Sequence, residues 1–417
     1  MPNHYRVENL TQVADDLAGA PTADVINAHR QRIEPWLSAI FQSEHLNLLL
    51  GSGFSVGLAQ AAQAPSASMA AVDFDSAFDV SIRTAAERSS VAMGRGPANI
   101  EDQLRTALAL AEGLKIQGDG RHEAFVRNLN RVLANFANSI VQMEAAMIAG
   151  EVIEAVAHAR FEKVLKGFLM SFASRTSSRD RLHVFTTNYD RVIEHGFDLL
   201  GIHTLDRFVG ALSPRFRASR FDIDATYAPS GNRADMRPLE GVVRLTKLHG
   251  SIDWMAKGRE ITRQPLPFGS TLRLDAAQAR DLMIFPNSAK DIETAFYPYA
   301  ELFRDFSAAI CRPNSALVTY GYGFGDDHVN RIIRDMLTQP STHLVVISFD
   351  DAGDRIRRFV DQTGRASQVS LIVGPDLAGL EKLIDNYLPK PAIDTITQRQ
   401  AELLGRRGAR EAGERNS

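Results

Sequence analysis

Short apolar runs that stop at glycine or at polar residues recur along the chain. They are "HLNLLL" (45–50), "LHVFTT" (182–187), "VVRLTKLHG" (242–250), "DLMIFP" (281–286), "ALVTYGYGF" (316–324), "HLVVISF" (343–349) and "VSLIVG" (369–374). A run that is apolar throughout, without alternation, suits a strand buried on both faces. Between several of these runs lie stretches with helical spacing: "DRVIEHGFDLLG", "AELFRDFSAAICR", "DHVNRIIRDMLTQ" and "AGDRIRRFVDQTG". Strands alternating with helices predict an α/β fold built on a Rossmann-like, doubly wound, mostly parallel sheet.

Outside that alternation the texture differs. Residues 1–45 read as an N-terminal helical segment, with Val25, Ile26, Ile33, Trp36, Leu37 and Ile40 spaced for one apolar face. Residues 58–98, rich in Ala, Ser and Gly, show no period and read as a long loop or lid. From "NIEDQLRTALALAEGL" to "FLMSFASRT", about 99–175, the spacing is helical nearly throughout, with Asn99 as N-cap and Glu101 and Asp102 in the first turn. "DLAGLEKLIDNYL" supplies a last helix. The expected organisation is therefore 1–45 helical, 46–390 a sheet domain interrupted by a helical insertion at about 60–178, and 391–417 a charged, disordered tail.

Composition narrows the function classes. At 44% hydrophobic and 23% charged the chain is ordinary globular protein, and a net charge of -3 offers no basic footprint for nucleic acid. The one cysteine, Cys311, excludes an intrachain disulfide and a four-thiolate zinc ribbon. The histidines lack metal-ligand spacing, so no metal is expected. The start, "MPNHYRVENLTQVADDL", is not a secretory signal, and no apolar run approaches the ~20 residues of a spanning helix. A soluble cytoplasmic protein without membrane contact is the expectation.

Ligands of doubly wound sheets bind at the carboxyl ends of the strands, so those ends hold the candidates. In "GSGFS", Gly51 and Gly53 permit a tight turn and close approach of backbone N–H groups to a pyrophosphate. Val56 stands where a dinucleotide fingerprint has its third glycine, and no Gly-Lys-Ser/Thr follows, which disfavours an ordinary dehydrogenase and a P-loop. "TTNYD" places an amide, Asn188, and a carboxylate, Asp190, before a helix; capping explains one of them but not both. His249 in "KLHGSIDW", followed by Gly250, suits a general base or a hydrogen-bonded structural histidine. "GYGFGDDH" has more glycine than a turn needs; it wraps a ligand, or is a loop before a helix capped by Asp326 or Asp327. "SFDD" offers Asp350 to the hydroxyls of a ribose, or to the helix near Gly353.

In this order, the segments resemble the sirtuin family. Its Gly-Ala-Gly-x-Ser is similar to Gly51-Ser52-Gly53-Phe54-Ser55, and its Thr-Gln-Asn-Ile-Asp to Thr186-Thr187-Asn188-Tyr189-Asp190. Its strand-end His-Gly resembles His249-Gly250, its Gly-Thr-Ser loop loosely resembles Gly321-Tyr322-Gly323, and its Asn-x-Glu or Asn-x-Asp resembles Ser348-Phe349-Asp350. The resemblance covers about 46–57 and 182–376. Two departures, the missing zinc module and the long helical span, together with "NIED" and "GYGFGDDH", are similar to the bacterial sirtuin-like effectors of antiviral defence. Those destroy NAD+ instead of deacylating protein, and in one arrangement work with a HerA-type hexameric ATPase.

The resemblance implies NAD+ as substrate. Asn188 would orient the nicotinamide ribose and a water, Asp190 would hold the carboxamide, and His249 would be the base. Gly51, Ser52, Gly53 and Ser55 would cradle the pyrophosphate, Gly321 and Tyr322 would also bind the NAD+, and Asp350 would take the adenosine ribose. It implies an NAD+ glycohydrolase and a homo-oligomer; the alternatives are an NAD-dependent protein deacylase and a non-catalytic NAD+ or ADP-ribose sensor or scaffold. The helices of 99–175 would build subunit contacts or a local cap over the pocket.

Overall fold

The computed structural model describes residues 3–7, 10–67, 69–92, 96–153, 155–174, 179–220, 223–228, 236–257, 260–283 and 297–390. Its centre is a nine-stranded sheet. In chain order the strands are β1 (His4–Val7), β2 (Leu10–Val13), β3 (His45–Leu50), β4 (His183–Thr186), β5 (His203–Leu205), β6 (Val242–Lys247), β7 (Ser315–Tyr320), β8 (His343–Ser348) and β9 (Val369–Val373). Across the sheet they run β2-β1-β9-β8-β7-β3-β4-β6-β5. From β9 to β5 every neighbouring pair is parallel, and β1 and β2 add an antiparallel hairpin at one edge.

The chain leaves β3 toward β4 on one side and later returns to β7 on the other. The sheet's topological switch point is therefore between β3 and β7, where a ligand crevice opens in such folds. β3 shows why the run is apolar throughout: Leu46, Leu48 and Leu50 enter the core on one face and Leu49 the core on the other. The helices α1 (Ala23–Phe41), α2 (Ser52–Ala61), α3 (Asp79–Ala92), α4 (Ile100–Gln117), α5 (His122–Ile153) and α6 (Ala155–Ala173) precede β4. After it come α7 (Val192–Leu200), α8 (Tyr299–Ile310), α9 (Asp327–Met336), α10 (Arg355–Thr363) and α11 (Leu380–Asn386). Asn99 caps α4 in a capping box with Asp102, as its sequence predicts.

Part of α5, His122–Ala149, is long and apolar enough to cross a membrane by length and composition. Here it is core: Phe125, Leu129, Leu133, Ala137, Ile140 and Met147 are buried, and so is the charged Glu144.

Three expectations need correction. Residues 1–45 are not helical throughout: a hairpin precedes α1, whose first turn Thr22 caps by accepting from the Val25 N–H. The alternation of β1, with Tyr5 and Val7 buried and His4 and Arg6 half-buried, spans four residues, too few for a period to register. Residues 58–98 contain α3, which buries only Ile82, Ala86 and Ser90 and so carries little apolar signal. The strand expected over 281–286 is reduced, among described residues, to a bridge between Leu282 and Met255. Residues 284–286 and the tail 391–417 lie outside the described residues.

Candidate functional site

The site begins where two glycine turns touch. The Gly51 N–H donates to the Tyr320 carbonyl and the Gly53 N–H to the Gly321 carbonyl, each at 3.0 Å. A Cβ on Gly51 would stand 2.5 Å from the Gly321 oxygen, and one on Gly53 2.7 Å from the Gly321 Cα. Gly321 itself has φ +60°. Glycine at these places lets the ends of β3 and β7 close on each other, and it also commits the Gly53 amide to Gly321.

Beside this contact lies a relay of three polar side chains. Asn188 Nδ2 donates to the Gly51 carbonyl and to Ser55 Oγ, both at 2.9 Å. Ser55 Oγ donates in turn to Asp190 Oδ2 at 2.6 Å, and Asp190 Oδ1 accepts from the Val192 N–H at 3.2 Å. A serine that donates to a carboxylate must receive its second bond from a donor, so the network fixes Nδ2 toward Ser55. Both Nδ2 hydrogens are then engaged, which leaves the Asn188 carbonyl oxygen as the group offered to a ligand. Asp190 thus takes the first N–H of α7 from one position before the N-cap, Arg191, and it also anchors the relay; the amide and the carboxylate two residues apart serve one hydroxyl.

The neighbouring strand end is bound to the same turn. The Tyr189 carbonyl accepts from Ser251 Oγ at 3.2 Å and from the Ile252 N–H at 3.1 Å. The buried Lys247 ammonium donates to the Asp190 carbonyl and pairs with Glu194 at 3.0 Å, whose carboxyl is pushed up by burial. Gly250, at φ +83°, turns the chain so tightly that a Cβ would overlap the Met283 carbonyl. His249 thereby reaches the site, with Nε2 2.8 Å from Asp326 Oδ2, the two out of line for a hydrogen bond. The other oxygen, Oδ1, accepts from the His328 N–H and caps α9.

Two cavities meet here. The smaller, about 370 Å³, is lined by Asn188, Asp190, His249, Ser55, Tyr322 and Asp326, with Asn99, Glu101, Phe136 and Met143 from the helical segment opposite. The larger, about 640 Å³, holds Gly53, Gly321 and Asp350, and α6 and α11 close it through Arg160 and Glu381. Ser52, Val56, Gly323 and Arg355 line both. Each volume lies in the ordinary range of ligand sites, ~300–1,000 Å³.

The expected residues thus divide. Asn188, Asp190, His249, Ser55, Gly51 and Tyr322 meet in the smaller cavity, Gly53, Gly321 and Asp350 in the larger, and Ser52 in both. Ser55 is buried within the relay, and Tyr322 turns its hydroxyl to Asn330 Oδ1 at 2.9 Å. Arg355, whose Nε donates to the Gly323 carbonyl at 2.7 Å, was not legible as a site residue, because one arginine in "DRIRRF" looks like its neighbours. Asp326 was legible only as a cap. Burial and Glu101 hold the Tyr189 phenol neutral, well above its usual range, and it donates to Glu101 Oε1 at 3.1 Å. Among the described residues no three His, Cys, Asp or Glu side chains gather as a metal site.

A parallel sheet whose switch point opens beside two cavities with shared lining residues, one with an amide and an imidazole and the other with a strand-end acid, defines an α/β protein with a candidate ligand cleft at the strand ends. Residues 182–365 match the SIR2-like domain, which supports a sirtuin-like family and, at the level of that family, the use of NAD+. None of the curated proteins matches the chain.

Proposed function

We propose that the protein is an NAD+ glycohydrolase, releasing nicotinamide and ADP-ribose. The observation that carries this reading is that Asn188 and His249, from the ends of two neighbouring strands, line one cavity, and that Ser52, Val56, Gly323 and Arg355 line both it and a second cavity holding Asp350. NAD+ fits that division. The adenosine ribose lies against Asp350, the pyrophosphate passes Ser52 and Arg355, and the nicotinamide ribose enters the smaller cavity. The C–N bond to nicotinamide breaks with its electron pair passing to the pyridine nitrogen, and positive charge grows on the ribose. The Asn188 carbonyl oxygen faces that charge and orients the ribose or a water. The water oxygen then bonds to the anomeric carbon, and His249 takes the proton. Positioning of this kind lowers a barrier by up to ~7–11 kcal/mol, and a base adds roughly 10²–10⁴-fold.

Resemblance to the defence effectors extends the reading to depletion of cellular NAD+ during phage infection, in a homo-oligomer regulated by a HerA-type ATPase. The test is mass-resolved turnover of NAD+ by the purified chain, alone and with such an ATPase. Asn188→Ala and His249→Ala are expected to abolish nicotinamide release while NAD+ still binds. Full turnover by both variants overturns the assignment. Release that depends on an acylated peptide makes the protein a deacylase, and thermal stabilisation by NAD+ without its loss makes it a sensor.

A further inference from the structure

His249 meets the smaller cavity, yet its Nε2 atom is sealed from solvent and stands 2.8 Å from Asp326 Oδ2. Nε2 and the carboxylate oxygen are in ion-pair contact but out of line for a hydrogen bond, and with Nε2 sealed against that oxygen Nδ1 is the ring nitrogen left to meet a substrate. An ionised carboxylate only accepts hydrogen bonds, so the nitrogen opposite it carries the hydrogen in the neutral ring. We propose that Asp326 is a positioning residue for catalysis: it holds His249 as the Nε2–H tautomer and so keeps the Nδ1 lone pair aimed into the cavity. The inference rests on the glycohydrolase reading for its kinetic consequence, but not for the tautomer itself.

The surroundings make Asp326 a fixed point. Its Oδ1 is engaged by the His328 N–H, its carbonyl accepts from Tyr322 Oη at 3.2 Å, and Asn330 Nδ2 ties the Phe324 carbonyl at 3.0 Å. Both partners are nearly buried, at 10% and 7% side-chain exposure, so little water competes for Nε2. The aspartate thus has two separable jobs, one oxygen for the helix and one for the imidazole.

That separation supplies the test. Asn is as good an N-cap as Asp, so in Asp326→Asn the amide oxygen stays on the His328 N–H. The NH₂ group then faces His249 Nε2, and a donor there selects the Nδ1–H tautomer, which puts a hydrogen on the nitrogen that should accept one. Expected are a kcat lower by roughly 10²–10⁴-fold, the scale of a lost general base, with KM for NAD+ little changed. Nitrogen-15 NMR of histidine-labelled protein, assigned with His249→Gln, should show the wild-type Nε2–H tautomer change to Nδ1–H. Asp326→Ser, which also caps, takes the same measurements if the Asn variant does not fold. An Nδ1–H tautomer in the wild type, or an unchanged tautomer with full kcat in the variants, overturns the proposal. A wild type inert toward NAD+ sinks the glycohydrolase reading instead, and the NMR arm still decides the pair.

Discussion

Replacing Ser55 by alanine tests the relay without touching either group proposed to meet substrate. The hydroxyl accepts from Asn188 Nδ2 at 2.9 Å and donates to Asp190 Oδ2 at 2.6 Å, with all three side chains buried. Its removal orphans one amide hydrogen and deprives a buried carboxylate of its shortest bond. A buried donor left unsatisfied costs ~1–3 kcal/mol and a bond to a charged group is worth ~1.5–3 kcal/mol. Water entering from the cavity recovers part of this, so a net loss of about 2–4 kcal/mol is expected. At an unfolding entropy of ~2.1 cal/mol/K per residue, that lowers Tm by about 2–5 °C. The kinetic effect should be the larger. Asn188 keeps only its bond to Gly51, its carbonyl oxygen drifts, and a displacement near 1 Å costs about 10²-fold in rate. The assay is calorimetry together with kcat for nicotinamide release at saturating NAD+. A Ser55→Ala variant with Tm within about 1 °C of wild type and kcat within about twofold would refute the reasoning.

Two further outcomes are expected. Arg355→Ala removes the guanidinium shared by both cavities; KM for NAD+ should rise by roughly 10–100-fold, the weight of a charge-assisted bond, with kcat retained, and steady-state kinetics decide. Burial, helped by the nearby Arg6 charge, pushes the His343 imidazole down to about 4, so the fold keeps it neutral where the unfolded chain would protonate it. That stabilisation is complete above the unfolded value near 6.5 and is lost as pH falls toward 4, amounting to about 3 kcal/mol. Urea midpoints between pH 4 and 7 should show this slope in the wild type and a flatter one in His343→Gln.

What the sequence revealed follows from the kind of signal each element carries. β3, β4, β6, β7, β8 and β9 are buried on both faces and therefore read as apolar runs. β5, "HTL", sits at an edge with little buried, and β1 alternates over four residues, so neither rises above its surroundings. The same logic holds in the site. Asn188, Asp190 and His249 are out of place at apolar strand ends and draw notice on that ground. Ser55 was legible as polar but not as the centre of a relay, because its partners are distant in sequence. Arg355 and the second role of Asp326 depend on which loops meet, which no local pattern records. Gly51, Gly53 and Gly321 invite a phosphate reading; geometry adds that they are glycine also because two backbones touch.

The turn after β4 explains why the helical segment before it belongs to the site. Its side chains divide alternately. Asn188 and Asp190 face the glycine turn through Ser55, whereas Tyr189 donates to Glu101 of α4 and Arg191 pairs with Glu144 of α5 at 2.5 Å. Burial pushes the Glu144 carboxyl up to about 7, against the Arg191 charge that pulls it down, and Arg191 also donates to the Leu266 and Pro267 carbonyls. A buried ion pair adds little net stability, but losing one partner strands the other at a cost of ~3–5 kcal/mol. Its consequence is geometric: the backbone that carries Asn188 is gripped by the sheet on one side and by α4 and α5 on the other. The SIR2-like match begins at residue 182 and contains Asn188 and His249, while the glycine turn and helices that hold them in place precede it. A displacement of α5 relative to the sheet therefore acts on Asn188 through Arg191, three residues away, rather than through the distant ends of the cleft.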